Sequence, residues 1–227
     1  MDTKVLKIQS FSIVLVAVNQ SASILNPDFL KYNQIVPMEW NLGMPPISTP
    51  SLSQVVFNNG FNIIAQGDRI TFLQSFEPNT SFSADVAEVA SKYIDAIPYL
   101  NYQAIGINFT EYVVLETVET ANDFILNKII TSGTWKFFQG VPPQSAVIQL
   151  FYPLIDTTLA VTIQEGGMES SSNDNKITPI LLFSANFHRD ITNTNEGQGL
   201  EVKKIIQSWE KDLSTFNSLV ENNFLGR

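Results

Sequence analysis

The chain has no cysteine. Disulfide scaffolds, thiolate metal sites and cysteine nucleophiles are therefore excluded. It has one histidine in 227 residues, so metal binding lacks its commonest ligand and no metal site is expected. Charge is also scarce: 15% of residues are charged, against about 25% in an average globular protein. Asn, Ser, Thr and Gln supply much of the polar surface instead. Basic residues number 13 against 22 acidic, for a net charge of −9. Phosphate backbones attract clustered Lys and Arg. Here the only adjacent basic pair, Lys203-Lys204, lies between Glu201 and Glu210. Nucleic acid is thus disfavoured, and a protein partner, a homo-oligomer or a small neutral ligand is expected. No apolar run approaches the ~18 residues of a membrane helix, so no membrane association is expected.

Catalytic and cofactor motifs are missing too. There is no G-x-S-x-G elbow, and Ser184 lies four residues from His188 along one strand, too far for direct hydrogen bonding at ~3.3 Å per residue. There is no Walker sequence. Gly197-Gln198-Gly199 lacks the third glycine of a dinucleotide fingerprint and is flanked by Glu196 and Glu201, which repel phosphate. Asn173-Asp174-Asn175 lacks the spaced acids, glycine and closing Glu of a calcium loop. The pairs Asp85/Glu88 and Glu116/Glu119 fit helix starts, where acids complement the dipole. No cofactor is expected. Lys4 and Lys7 precede the short apolar run Phe11 to Val18, with Ser21-Ala22-Ser23 beyond it. That resembles a secretory signal, but Asp2 and the brevity of the run favour a strand, and a cytoplasmic location.

What is present is an order of elements that runs twice: strand, helix, three strands, helix, over 7–97 and 102–224. It fits a duplicated unit, or an α+β fold that places helices between meanders without duplication. Residues 7–18 read as a central strand covered on both sides, because Val14 and Val16 are as apolar as Ile13 and Leu15. Asn26-Pro27-Asp28 is a helix start. Strands are expected over 54–58, 61–66 and 69–76, with a type I′ turn at Asn59-Gly60 and a type II′ turn at Gly67-Asp68. Ser81 or Ser83 caps a helix carrying Val86, Val89, Ala90, Tyr93, Ile94 and Ile97 on one face. The second pass has strands at 102–116, 146–153, 157–165 and 177–188, a helix at 120–131, and a long last helix with an apolar stripe from Val202 to Phe224. The expected fold is one domain of α+β class: a twisted, mainly antiparallel sheet of about eight strands with long helices on one face.

The later strands alternate. Leu159, Val161 and Ile163 oppose Thr158 and Thr162. Leu181, Phe183, Ala185 and Phe187 oppose Ser184, Asn186 and His188. The apolar set belongs under helices and the polar set on a wet face, which Asn108, Thr110 and Tyr112 join by parity. These eight residues (Asn108, Thr110, Tyr112, Thr158, Thr162, Ser184, Asn186 and His188) are the candidate binding surface. No residue qualifies as catalytic. The expected function is a non-enzymatic binding or interaction module. The alternatives are a carboxylate-dependent enzyme assisted by His188, and a structural subunit of an assembly.

The doubled order is similar to the duplicated saddle of TATA-box-binding proteins, in architecture alone. The strand Ile180-Leu181-Leu182-Phe183-Ser184-Ala185-Asn186-Phe187, the helix end Phe216-Asn217-Ser218-Leu219-Val220 and the meander end Asp68-Arg69-Ile70-Thr71-Phe72 resemble a sporadically distributed family of uncharacterised bacterial proteins. That resemblance implies a bacterial, soluble, single-module protein and brings no active site with it.

Overall fold

Two runs of strands meet side by side at their first members. The computed structural model describes residues 5–78, 82–169, 177–192 and 197–226. Its strands are β1 (Lys7–Val18), β2 (Ile47–Ser48), β3 (Leu52–Val56), β4 (Phe61–Gln66), β5 (Arg69–Ser75), β6 (Asn101–Val114), β7 (Ile148–Pro153), β8 (Thr158–Glu169) and β9 (Ile177–Asp190). They form one sheet in the order β2-β3-β4-β5-β1-β6-β9-β8-β7, and each pairing is antiparallel. From β1 outward the order is β5, β4, β3; from β6 outward it is β9, β8, β7. The two halves therefore share one pairing order. The sheet has nine strands because the loop after the first helix adds the short β2 along the outer edge of β3.

The helices are α1 (Pro27–Tyr32), α2 (Asp85–Ala96), α3 (Val118–Asp123), α4 (Gln198–Gln207) and α5 (Trp209–Ser218). α3 and α5 each continue into a π-helical turn, Phe124–Ile129 and Leu219–Phe224. Asn26 caps α1 by accepting from the Phe29 N–H at 2.8 Å. Ser83 does not cap α2, whose N-cap is Ala84; Ser81 lies outside the described residues. The stripe of α2 is buried as expected, through Val86, Val89, Ala90, Tyr93 and Ile94.

Gly60 adopts φ +82° but Asn59 does not enter the positive region, so this hairpin is not type I′. The Gly60 N–H donates to the Phe57 carbonyl and the Phe57 N–H to that of Phe61. Asn58-Asn59-Gly60 is thus a three-residue loop with glycine at the left-handed position. Gly67, at φ +60°, fits the type II′ turn.

Strand parity sorts the sheet. Phe11, Ile13 and Leu15 of β1, Ile105, Ile107 and Phe109 of β6, Leu181, Phe183 and Phe187 of β9, and Leu159, Val161 and Ile163 of β8 are all buried in one core with the helices. Phe11 and Phe109, opposite each other in the β1–β6 ladder, stack at 5.0 Å. Trp209 covers Phe11 at 5.3 Å.

The last helix is interrupted at Ser208, one turn before the acid that ties it to the sheet. Arg189 of β9 turns to the helix side and meets Asp212 of α5 in a bidentate pair, Nη1–Oδ2 2.9 Å and Nη2–Oδ1 2.8 Å. Both side chains are nearly excluded from solvent, at 8% and 4% exposure. A fork-to-carboxylate pair satisfies both charges where water cannot. Removing one partner leaves an uncompensated buried charge, which costs about 3–5 kcal/mol, whereas an apolar replacement of both is often neutral. Urea unfolding of Asp212→Ala should show a loss of that order, and Arg189→Met/Asp212→Leu should recover most of it. A near-neutral Asp212→Ala would contradict this role.

Candidate functional site

The second face of the sheet stays outside the core. Its middle row runs across six strands by register: Ala160 of β8, Asn186 of β9, Asn108 of β6, Ser12 of β1, Leu73 of β5 and Asn62 of β4. One step along lie Thr162, Ser184, Thr110 and Ser10. One step the other way lie Thr158, His188, Gly106, Val14, Thr71 and Ile64.

All eight candidate residues are brought to this face. Seven are half-buried or exposed, but Tyr112 is buried at 3% exposure, and burial raises its hydroxyl above the usual tyrosine range. It supports one end of the surface rather than presenting itself.

The centre of the polar half is an amide ladder. Asn186 Nδ2 donates to Asn108 Oδ1, and Asn108 Nδ2 leans on the Ser12 and Gly106 carbonyls at 3.4 and 3.3 Å. Gly106 makes room for it: a Cβ there would lie 2.9 Å from Asn186 Nδ2. The strand glycine thus marks a close approach, not a bulge; the irregularities of the β1–β6 ladder fall at Ile8/Ser10 and Val16/Ala17. Beside the amides, Thr110 and Ser184 hydroxyls are 3.4 Å apart, and Gln149 donates to Thr162 at 3.4 Å.

The other half of the face sets apolar side chains among its polar ones, and sequence reasoning missed them. β1 is central, but among the described residues no helix covers its second side: Val14 and Val16 are half-buried on the open face and stand outside the core with Leu73, Ile64 and Val56. Apolar residues on both sides of a strand do not by themselves require cover on both. The signal lay in Leu73 and Ile64, which alternate with core residues of their own strands.

His188 is half-exposed, and its Nε2 is 3.3 Å from Asp190 Oδ1. Asp190 shares its face because β9 continues to that residue. A shallow recess of about 400 Å³ opens near the end of β9, lined by Asp156, Arg189, Asp190, Glu201 and Lys204. His188 does not line it. Among the described residues no cluster of three His, Asp or Glu could hold a metal. Asn173-Asp174-Asn175 lies outside the described residues. Gly197 is the N-cap of α4, and Gly199 lets that helix approach α2, since a Cβ there would lie 3.3 Å from Ile94. The two glycines serve the turn and the packing. Asp85 and Glu88 occupy the first turn of α2. Glu119 stands in the first turn of α3, where the Thr117 hydroxyl accepts from the Thr120 N–H as cap.

On the helix side, Glu111 is buried at 5% exposure. With the amide nitrogen of Asn217 turned toward it, that group donates to Oε1 and Oε2 at 3.1 and 2.9 Å. Desolvation, and then the charge of Glu221, push the Glu111 carboxyl from 4.5 up to about 8.

Neither a protein-family model nor a curated protein matches the chain, so the functional argument rests on these residues.

Two outcomes follow from this geometry. Between about pH 4.5 and 8 the folded chain holds a proton on Glu111 that the unfolded chain has lost. This group therefore makes stability fall as pH rises through that window and level off above it, by up to about 1.4 kcal/mol per pH unit. Glu111→Gln should remove that slope and exceed the wild type at pH 8.5 in urea titrations; parallel curves for the two would refute it. Gly106→Ala should displace the Asn186 amide. Amide NMR should then show the side-chain signals of Asn108 and Asn186 shifted together. Stability should change by less than about 1 kcal/mol, because lost hydrogen bonding is offset by a less flexible unfolded chain.

Proposed function

We propose that the chain is a non-enzymatic interaction module that binds a protein partner through the open face of its sheet. The observation that carries this is a face spanning six strands, left outside the core, with amides and hydroxyls on β6, β8 and β9 beside Val14, Val16, Leu73 and Ile64 on β1, β5 and β4. Apolar surface gives a partner area to bury. Unpaired amide and hydroxyl valences give it direction. By parity the ionisable residues of this face within the described strands are Lys7, Arg69, His188 and Asp190, with the buried phenol of Tyr112. So sparse a charge set suits a protein surface better than a phosphate backbone.

The carboxylate-enzyme alternative loses support because His188 meets Asp190 at an exposed rim rather than in a recess shared with two acids. We place the module in the bacterial cytoplasm, on the resemblance of Ile180–Phe187 and Phe216–Val220 and on the strand character of residues 7–18. No helix among the described residues is long and apolar enough to cross a membrane.

The test begins with a partner purified from the native host and rebound to the purified chain. Val16→Glu and Thr162→Arg, both half-buried on the open face, should each weaken binding at least tenfold with unchanged circular dichroism. Undiminished binding to both variants would overturn the proposal.

A further inference from the structure

The two outer edges of the sheet are treated differently. In the first half, residues 41–48 return along β3: Leu42 bridges Phe57, and Ile47 and Ser48 pair with Gln54 and Ser53. In the second half, residues 131–147 bridge only within themselves, Phe138 to Val141. No described residue pairs with the outer edge of β7. Natural edges are usually blunted by charge, bulges or cover. This one is blunted only at its end, by Pro153: from Ile129 to Ile155 the sole charged residue is Lys136.

The same stretch exposes Phe137 (64%), Phe138 (77%), Val141, Val147, Phe151 (64%) and Ile155 (107%). At ~150–200 Å² per fully exposed side chain, these amount to on the order of 700 Å² of apolar surface. That sum, taken over separate side chains, is of the order of the ~800 Å² that each partner buries in a stable complex. The chain as a whole carries −9, so two copies repel least where they meet through this neutral stretch.

Which backbone groups face outward follows from the turn. The Leu154 N–H donates to the Thr157 carbonyl at 2.9 Å, closing the two-residue loop Ile155-Asp156 with a hydrogen-bonded pair. Bonded and non-bonded pairs then alternate along β7–β8, whose register has no shift. Tyr152, Leu150 and Ile148 are bonded to β8. Gln149, Phe151 and Pro153 direct their free groups outward, and Pro153 has no N–H to leave unpaired.

We propose that β7 pairs with β7 of a second copy, antiparallel, about a two-fold axis at Leu150. Gln149 and Phe151 then exchange both backbone hydrogen bonds with Phe151 and Gln149 of the other copy. Ile148 faces Tyr152 and Leu150 faces itself on the helix side. An axis at Phe151 would instead set Gln149 against the donorless Pro153. The pairing joins the two sheets into one. It concerns the edge of the sheet and does not rest on the partner proposed for its open face.

The absence of cysteine makes the test direct. The axis puts residue 150 opposite its own copy at the ~4.5 Å Cα spacing of a non-hydrogen-bonded pair, within disulfide range. Leu150→Cys, mildly oxidised, should give a covalent dimer on non-reducing gels, while Tyr99→Cys should not. Sedimentation velocity should find the wild type dimeric, and Phe151→Lys and Phe151→Pro should each raise the dimer dissociation constant at least tenfold. Both changes fall on an outward-facing residue and leave the β8 ladder intact, and circular dichroism checks the fold. A wild type that stays monomeric at about 100 μM would overturn the proposal. So would a dimer indifferent to both Phe151 variants, or a strand of a different protein found on β7.

Discussion

The β1–β6 ladder is the interaction on which the rest of the structure depends. It joins two runs of strands that would otherwise each end in an open edge. It also sets which residues share a face. A one-residue slip there would exchange the two faces of one half relative to the other, so that Ile107 would stand beside Ser12 and Asn108 beside Phe11. The stacked Phe11–Phe109 pair, with Trp209 above it, opposes that slip, because a one-residue shift would put the two rings on opposite sides of the sheet.

One-sided cover follows from the same ladder. The helices of both halves fall on one side of the joined sheet, and their apolar stripes meet Leu15, Ile107, Phe183 and Val161 in a single core. Among the described residues, the other side meets no helix. Its composition answers that exposure with amides and hydroxyls on β6, β8 and β9, while on β1, β4 and β5 it keeps Val, Ile and Leu. A solvated face gains nothing from those apolar side chains, and that is the ground on which we propose a contact surface there.

Much of this was legible in residue order. Period-two alternation in 157–164 and 177–188 sorted core from surface correctly, and the helix start at Asn26-Pro27 read true because its cap is local chemistry. What failed was non-local. The apolar second side of β1 said that the strand was central but not whether anything lay over it. The turn at Asn59-Gly60 was misassigned because the dipeptide alone does not state how many residues the loop holds. Asp212 was invisible, since an acid in a helix usually faces water. Only the arrival of Arg189 from a strand twenty-three residues earlier explains its burial. A lone arginine of core parity in an apolar strand was the available clue.

β1 is made well before either of its neighbours. β1 ends at Val18, yet its neighbours β5 and β6 begin at Arg69 and Asn101. At the usual ~5–20 residues per second of synthesis, an apolar strand with both sides unpaired leaves the ribosome several seconds before either neighbour exists. Local hairpins form meanwhile in β3–β5, but they cannot bury their outer strand without β1. Nascent chains of this protein therefore carry an adhesive N-terminal segment until about half of the sequence has emerged, and that interval is when chaperone protection matters most.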